Sequence, residues 1–146
     1  MNRIQAISYT LKHRKKLNEI AKAHGFWYPF HDVDKLFLYL LFGKKRTHTI
    51  HRLYSKHHER LNANGLYEIK DQWQAIFDWE SSRFTKKDKP MTAYEYWLKT
   101  CPEIDLLFKM GILGFLPKNK SIAQIKEEIA KAKEKRFLKI AEQKSA

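Results

Sequence analysis

The chain is poor in cysteine, glycine and proline: its 146 residues include one Cys, five Gly and four Pro. The lone Cys101 forms no intramolecular disulfide, and without a cysteine cluster there is no Cys-rich structural zinc site. Such a chain suits a reducing interior. Scarce Gly and Pro exclude collagen-like and Gly/Pro low-complexity architectures. Long hydrophobic runs are missing too. The most apolar stretch, LFLYLLFG at 36–43, is less than half of the ~18 residues a membrane span needs, and it reads as a buried core helix. The opening MNRIQAISYTLKHRKK is basic but has neither the apolar core nor the small-residue cleavage site of a secretory signal, which makes the cytoplasm the expected location. No Gly-rich phosphate loop, Rossmann fingerprint or Ser-nucleophile elbow occurs, so nucleotide-dependent kinases, dehydrogenases and common esterases find no support. Cys101 has no adjacent His and precedes Pro102, so it does not read as a catalytic thiol.

Acidic residues are outnumbered. Lys and Arg total 29 against 16 Asp and Glu, a net charge of +13 with His neutral. That excess concentrates anionic partners, whether nucleic acid, nucleotides or an anionic membrane surface, although solubility alone is also a common use of lysine. Hydrophobic content of 43% and aromatic content of 14% supply one compact domain with a real core.

Strings such as EIAKAKEKRFLKIAEQK predict an all-α fold. A first helix covers residues 4–23, with Ile4, Ile7, Leu11, Leu17 and Ile20 as its apolar face. Gly25 and Pro29 bracket Phe26, Trp27 and Tyr28 in a loop. A second helix runs from about 30 to 42, apolar on most sides except at His31, Asp32, Asp34 and Lys35. Gly43, Lys44, Lys45 and Arg46 make a basic turn, and a third helix follows over 48–61, ending near Asn62, Asn64 and Gly65. The fourth, 68–84, turns Ile69, Trp73, Ile76, Phe77 and Phe84 inward. After the loop TKKDKP, capping boxes at Thr92/Glu95 and Ser121/Gln124 open a short helix and a final one that reaches about residue 142. Residues 1–117 form the main helical domain. Residues 118–146, with nine Lys or Arg and four Glu, form a basic C-terminal helix that is part of that domain or appended to it. This last helix packs on the domain, pairs with another copy as a homodimer element, or projects as a basic arm.

All seven histidines lie at or before His58. His13, His31, His51, His57 and His58 fall on the proposed helices, and Asp78 on the next one; helical scaffolds gather such ligands when each helix points one inward. Imidazole with carboxylate suits Mn, Fe, Co, Ni or Zn, and less naturally Mg. Burying His31 and Asp32 costs several kcal/mol unless they are paired or ligated. As helix neighbours they stand ~100° apart and reach one ion from the same edge, and Lys35 shares their side and meets a bound phosphate. His51 and His58, seven residues apart, share a helix face, with His57 rotated by ~100°. His24 and His48 read as ordinary surface or core-edge residues. Trp73, Phe77, Trp79, Phe84, Tyr94, Tyr96 and Trp97 read as core.

The ordered set His13, HDVDK at 31–35, His51, the pair His57–His58 and Asp78 resembles the H…HD…H…H…D pattern of the HD-domain metal-dependent phosphohydrolases. It is more closely similar to a small HD-like family of bacterial and phage proteins, on the strings LKHRKK, HDVDK, HRLYSKHH and IFDWESSRF across residues 11–97. It departs from that family at Asp34, where Ser is common, and at SKHH, which replaces Asn-Pro-His-His. The resemblance implies a compact HD-domain-like helical bundle holding one or two divalent transition metals. His13, His31, Asp32 and Asp78 would hold the first, Asp32 would bridge, and His51, His57 and His58 would complete the second ion or touch the phosphate. The implied reaction is hydrolysis of a phosphoester, in a nucleotide or short nucleic acid, by a metal-activated water. Lys35 with Lys44, Lys45 or Arg46 would then steady the transferred group, and Phe26, Trp27 and Tyr28 would stack on a base. The competing expectation is a non-enzymatic basic module that binds nucleic acid, its His/Asp cluster being structural.

Overall fold

The computed structural model describes residues 2–55, 57–58, 69–88 and 90–145, and among them every regular element is a helix. The chain divides into two units, residues 1–90 and 91–146. The first contains α1 (Arg3–Ala23), α2 (Val33–Leu41), α3 (Lys44–Tyr54) and α4 (Ile69–Thr85); the second contains α5 (Ala93–Thr100), α6 (Leu107–Leu113) and α7 (Ile122–Ser145). Residues 91–117 thus group with α7.

α1 opens with a capping box in which Asn2 and Gln5 each accept the other's backbone N–H. It closes where Gly25 takes a left-handed conformation, φ 83°. Its buried stripe is Ala6, Thr10, His13, Leu17 and Ala21, every third or fourth residue. The expected apolar face is therefore corrected: Ile4 and Leu11 are exposed. The stripe lies against α4, where small Ala6 and Ala21 admit close approach and His13 meets Asp78 and Ser81 of that helix.

α4 is buried continuously from Ala75 to Ser81, so it is the central helix of this unit. The segment after α1 closes over it: Phe26 packs on Trp73 and Phe77, and Tyr28 on Phe77. Phe26 and Tyr28 are thus half-buried in packing on α4, and of the three aromatic residues expected to stack on a base Trp27 is the largely exposed one. Asn18 ties the segment back to α1, accepting from Tyr28 N–H at 2.6 Å and donating to the Tyr28 carbonyl at 2.9 Å. Arg14 donates to the Pro29 carbonyl.

Two helix limits differ from expectation. α2 begins at Val33, so His31 and Asp32 lie in the turn before it. α3 begins at Lys44, which makes the basic turn its first turn, and ends at Ser55, leaving His57 and His58 beyond it. The expected end of the third helix near residues 61–65 lies outside the described residues. The LFLYLLFG stretch is not a buried core helix either. Tyr39 is the buried residue of α2, while Phe37, Leu40 and Leu41 are exposed. A nearly all-apolar helix of nine residues packs one stripe on α1 and α3 and leaves its other sides outward.

In the second unit both capping boxes form as expected, Thr92 with Glu95 and Ser121 with Gln124. Ala93, Tyr94, Trp97, Cys101, Leu106, Met110, Leu113, Ile125 and Ile129 are its buried apolar residues. Trp97 Nε1 donates to the Ile104 carbonyl at 2.8 Å. α7 packs on α5, and beyond Ile129 it exposes Phe137 and Leu138. No described helix is long and apolar enough to cross a membrane.

Candidate metal centre

Four segments of the first unit converge on one buried point. α1 brings His13, the turn before α2 brings His31 and Asp32, α3 and the residues after it bring His51, His57 and His58, and α4 brings Asp78. All seven are buried. They form two groups, His13–His31–Asp32–Asp78 and Asp32–His51–His57–His58, and in each group one ligand atom per residue lies within 4.8 Å of the others. Asp32 belongs to both.

Its position is set by an unusual backbone. Asp32 has φ 56°, the left-handed region, where Asp is among the few non-glycine residues tolerated. It occupies the N-cap of α2, yet its side chain makes no capping bond. An Asp at this position normally caps the helix for about 1 kcal/mol, so its carboxylate forgoes that gain and turns inward. There Oδ2 accepts from Lys35 Nζ at 2.9 Å and lies 3.4 Å from His31 Nε2. Oδ1 lies 2.9 Å from His51 Nε2 and 3.2 Å from His57 Nε2. Asp78 Oδ1 meets His13 Nε2 at 2.6 Å and His31 Nε2 at 3.3 Å.

The histidines share an orientation. In four of them Nε2 faces the centre while Nδ1 is held from behind: His13 by Ser81 at 3.4 Å, His31 by the Gln74 amide at 2.9 Å, His51 by Asp34 at 2.6 Å and His57 by Ser55 at 2.7 Å. At His13, His51 and His57, whose partners can accept the Nδ1 proton, this is how proteins fix the ring and tautomer of metal-binding imidazoles, while the Gln74 amide, which carries both a donor and an acceptor, orients the His31 ring without fixing its tautomer. Five inward atoms, Nε2 of His31, His51, His57 and His58 and Oδ1 of Asp32, are buried with no hydrogen-bond partner. Each such orphan costs about 1–3 kcal/mol unless something else satisfies it. Donors bound ~2.1 Å from one cation sit ~3.0–3.4 Å from their neighbours; the Asp32 contacts to His31 and His57 fall at that spacing and the one to His51, at 2.9 Å, is slightly shorter. The residues therefore fit a divalent cation, and a buried His/Asp cluster that can hold one is what the structure establishes.

Charge is distributed unequally across the centre. Burial disfavours a charged His31, but Asp32 and Asp78 outweigh it and raise its pKa from 6.5 to about 9. In the cation-free chain the protonated His31 thus stands in for a cation between the two carboxylates. Burial also opposes the charged forms of Asp32 and Asp78, yet the His31 charge and the close imidazoles, His51 and His57 beside Asp32 and His13 beside Asp78, hold both well below the ordinary carboxylate range. Burial pushes His57 down, and pushes His58 well below 6.5 with help from His57, so both keep a free lone pair. Lys35 overcomes its burial through Asp32 and Asp78 and stays charged.

All seven expected ligands converge, but two of the local arguments for them do not hold. His31 and Asp32 are neighbours in a turn rather than on a helix, and His58 does not share a helix face with His51 because α3 has already ended. Lys35 is at the centre. Lys44, Lys45 and Arg46 occupy the exposed first turn of α3, with Arg46 over the Phe42 ring at 5.0 Å, roughly 7 Å or more along the helix from His51. Lys86 feels the charges of this region: its pKa is lowered by burial and, against the pull of Asp78, by the positive charges of Arg52 and Lys35. Sequence reasoning missed Gln74, Ser81 and Ser55, and it missed Tyr9, whose ring is parallel to His13 and whose hydroxyl meets Thr85 Oγ1 at 3.4 Å. Spacing offered one signal, since Gln74, Asp78 and Ser81 recur at helical intervals on α4. No family model, curated protein or solved structure matches this chain.

Proposed function

We propose that this protein is a metal-dependent phosphohydrolase of the HD type, acting on a phosphoester of a nucleotide or short nucleic acid. The observation that carries the reading is the pair of four-residue ligand groups sharing Asp32, with orphaned imidazole nitrogens aimed inward and a charged lysine beside them. His13, His31, Asp32 and Asp78 would hold one divalent transition metal (Mn, Fe, Co, Ni or Zn) and Asp32, His51, His57 and His58 a second. Bound there, such ions polarise a phosphoryl oxygen and acidify water.

The chain's own groups do the rest. Lys35 is already ordered by Asp32, and its remaining N–H donors are suited to the oxygens of an arriving phosphoryl group, where charge accumulates during displacement. Tyr9 keeps its hydroxyl proton, its pKa raised by burial, and so offers a neutral donor near the same carboxylates. The positive field of Lys35, Arg52 and Lys86 draws an anionic substrate to this side of the unit. The two serines of the site, Ser55 and Ser81, meet His57 and His13 at Nδ1, behind the rings and away from the convergent Nε2 atoms, which favours direct attack by water.

The test is elemental analysis of protein purified without added metal, wild type against a His31→Ala, Asp32→Ala double variant, followed by a panel of nucleotide monoesters and diesters. Near-stoichiometric metal that disappears in the variant, with turnover lost alongside it, is the expected result. Wild-type protein that stays metal-free after Mn and Fe reconstitution and turns over nothing overturns the proposal. Salt-sensitive nucleic-acid binding under those conditions would mark the basic binding module instead.

A further inference from the structure

The two ligand groups differ in charge. His13 and His31 share their cation position with two carboxylates, Asp32 and Asp78, whereas His51, His57 and His58 share theirs with Asp32 alone. A divalent ion in the second position is therefore surrounded mostly by neutral donors. Asp34 supplies the missing charge from behind. Its Oδ2 lies 2.6 Å from His51 Nδ1, while Nε2 of the same ring faces Asp32 Oδ1 at 2.9 Å. His13, His31 and His57 meet neutral partners at Nδ1: a hydroxyl, an amide and a second hydroxyl. A carboxylate on Nδ1 fixes the proton there and makes Nε2 a stronger donor to a metal, an effect worth 10- to 100-fold in affinity where such partners have been removed.

Asp34 is also placed to act in this way. Its side chain is 51% exposed, so it contributes little to packing. It stands in the first turn of α2, two residues after Asp32, so one short segment delivers both the shared ligand and the charge behind His51. The hydrogen bond with His51 keeps its carboxyl below the ordinary range in spite of partial burial.

We infer that Asp34 is a positioning residue that retains the cation of the second group through His51, so that its loss turns a two-cation centre into a one-cation centre. This rests on the metal-centre reading above. The experiment titrates chelator-stripped protein with Co(II), read by visible absorption and by metal content after desalting. Asp34→Asn and Asp34→Ser are each placed in the wild type, in His13→Asn, which disables the first group, and in His58→Asn, which disables the second. Retained cobalt should fall from two ions to one in the wild-type background. Affinity should drop 10- to 100-fold with His13→Asn and less than twofold with His58→Asn. Equal losses in both backgrounds, or two ions still retained by both Asp34 variants, overturn the inference while leaving the metal centre standing. A wild type that takes up no cobalt removes both. Should either His variant fail to fold, the wild-type stoichiometry decides alone, because a half-exposed Asp34 can be replaced without disturbing the core.

Discussion

Asp32 is common to both ligand groups, so Asp32→Asn probes the whole centre with one nearly isosteric change that also tolerates the left-handed backbone. The measurement is the melting temperature of each protein with a chelator and with excess Mn(II), Co(II) or Zn(II). One cation present at 100 times its dissociation constant stabilises the native state by about 2.7 kcal/mol. The unit that holds the centre spans residues 1–90, and for a unit of that size 1 kcal/mol moves the midpoint by roughly 4–8 °C, giving about 10–20 °C per cation. The cation-free states differ as well. Raising His31 from 6.5 to about 9 represents about 3 kcal/mol of attraction to Asp32 and Asp78, which is fully present below pH 6.5 and lost as pH rises through 9. Removing one of the two carboxylates should cost the chelated protein on the order of 1–2 kcal/mol at pH 7. The wild type should therefore show a large metal-dependent shift, and Asp32→Asn a lower melting point with no shift. Coincident wild-type curves with chelator and with every metal, or an equal shift in Asp32→Asn, would refute the reasoning that these atoms await a shared cation.

Proton competition at His31 gives a second prediction: between pH 7 and 8 apparent metal affinity should rise about tenfold, because each unit nearer 9 frees Nε2 tenfold more often. Over pH 6.5–9 the chelated protein should instead lose stability, and calorimetry showing both quantities moving together would contradict the assignment. Lys35→Met should leave metal content intact and lower kcat/KM by about 10²–10³, the range for losing one donor to a developing oxyanion; unchanged turnover in steady-state kinetics would exclude Lys35 from substrate contact. Asn18→Ala removes both bonds that tie Tyr28 to α1 and should destabilise the unit by about 1–3 kcal/mol in urea titrations, with metal affinity falling because the turn carrying His31 and Asp32 loosens. Leu17→Ala, at a fully buried position, should cost about 2–5 kcal/mol with no change in metal stoichiometry.

Helical content was legible because its signals are local. The Thr92 and Ser121 capping boxes depend on residues three apart, and both form. His31 and Asp32 were legible because imidazole and carboxylate are rare in apolar segments unless paired, whereas the other five candidates stood out through the ordered pattern that resembles the HD-domain proteins. What escaped was geometry set by distant partners. The left-handed turn at Asp32 looks, in sequence, like the start of a helix, because the apolar pattern that follows extends back through Phe30. The buried stripe of α1 was misplaced by weighing hydrophobicity alone. His13 is buried because α4 presents Asp78 and Ser81 to it, and Thr10 lies on the same stripe, while Ile4 and Leu11 fall off it. Gln74 and Ser81 sit 43 and 68 residues from the rings they touch, separations at which no spacing rule operates.

That long separation bears on how the centre comes into being. His13 and Asp78 meet across 65 residues. Closing so long a loop is entropically expensive, and the packing of α1 along α4 offsets that cost. A zinc finger, by contrast, gathers its ligands from short loops and waits for its metal before it folds. Here the ligands are brought together by helices that pack along their length, so the α1–α4 contact carries more of the site's geometry than any one loop does.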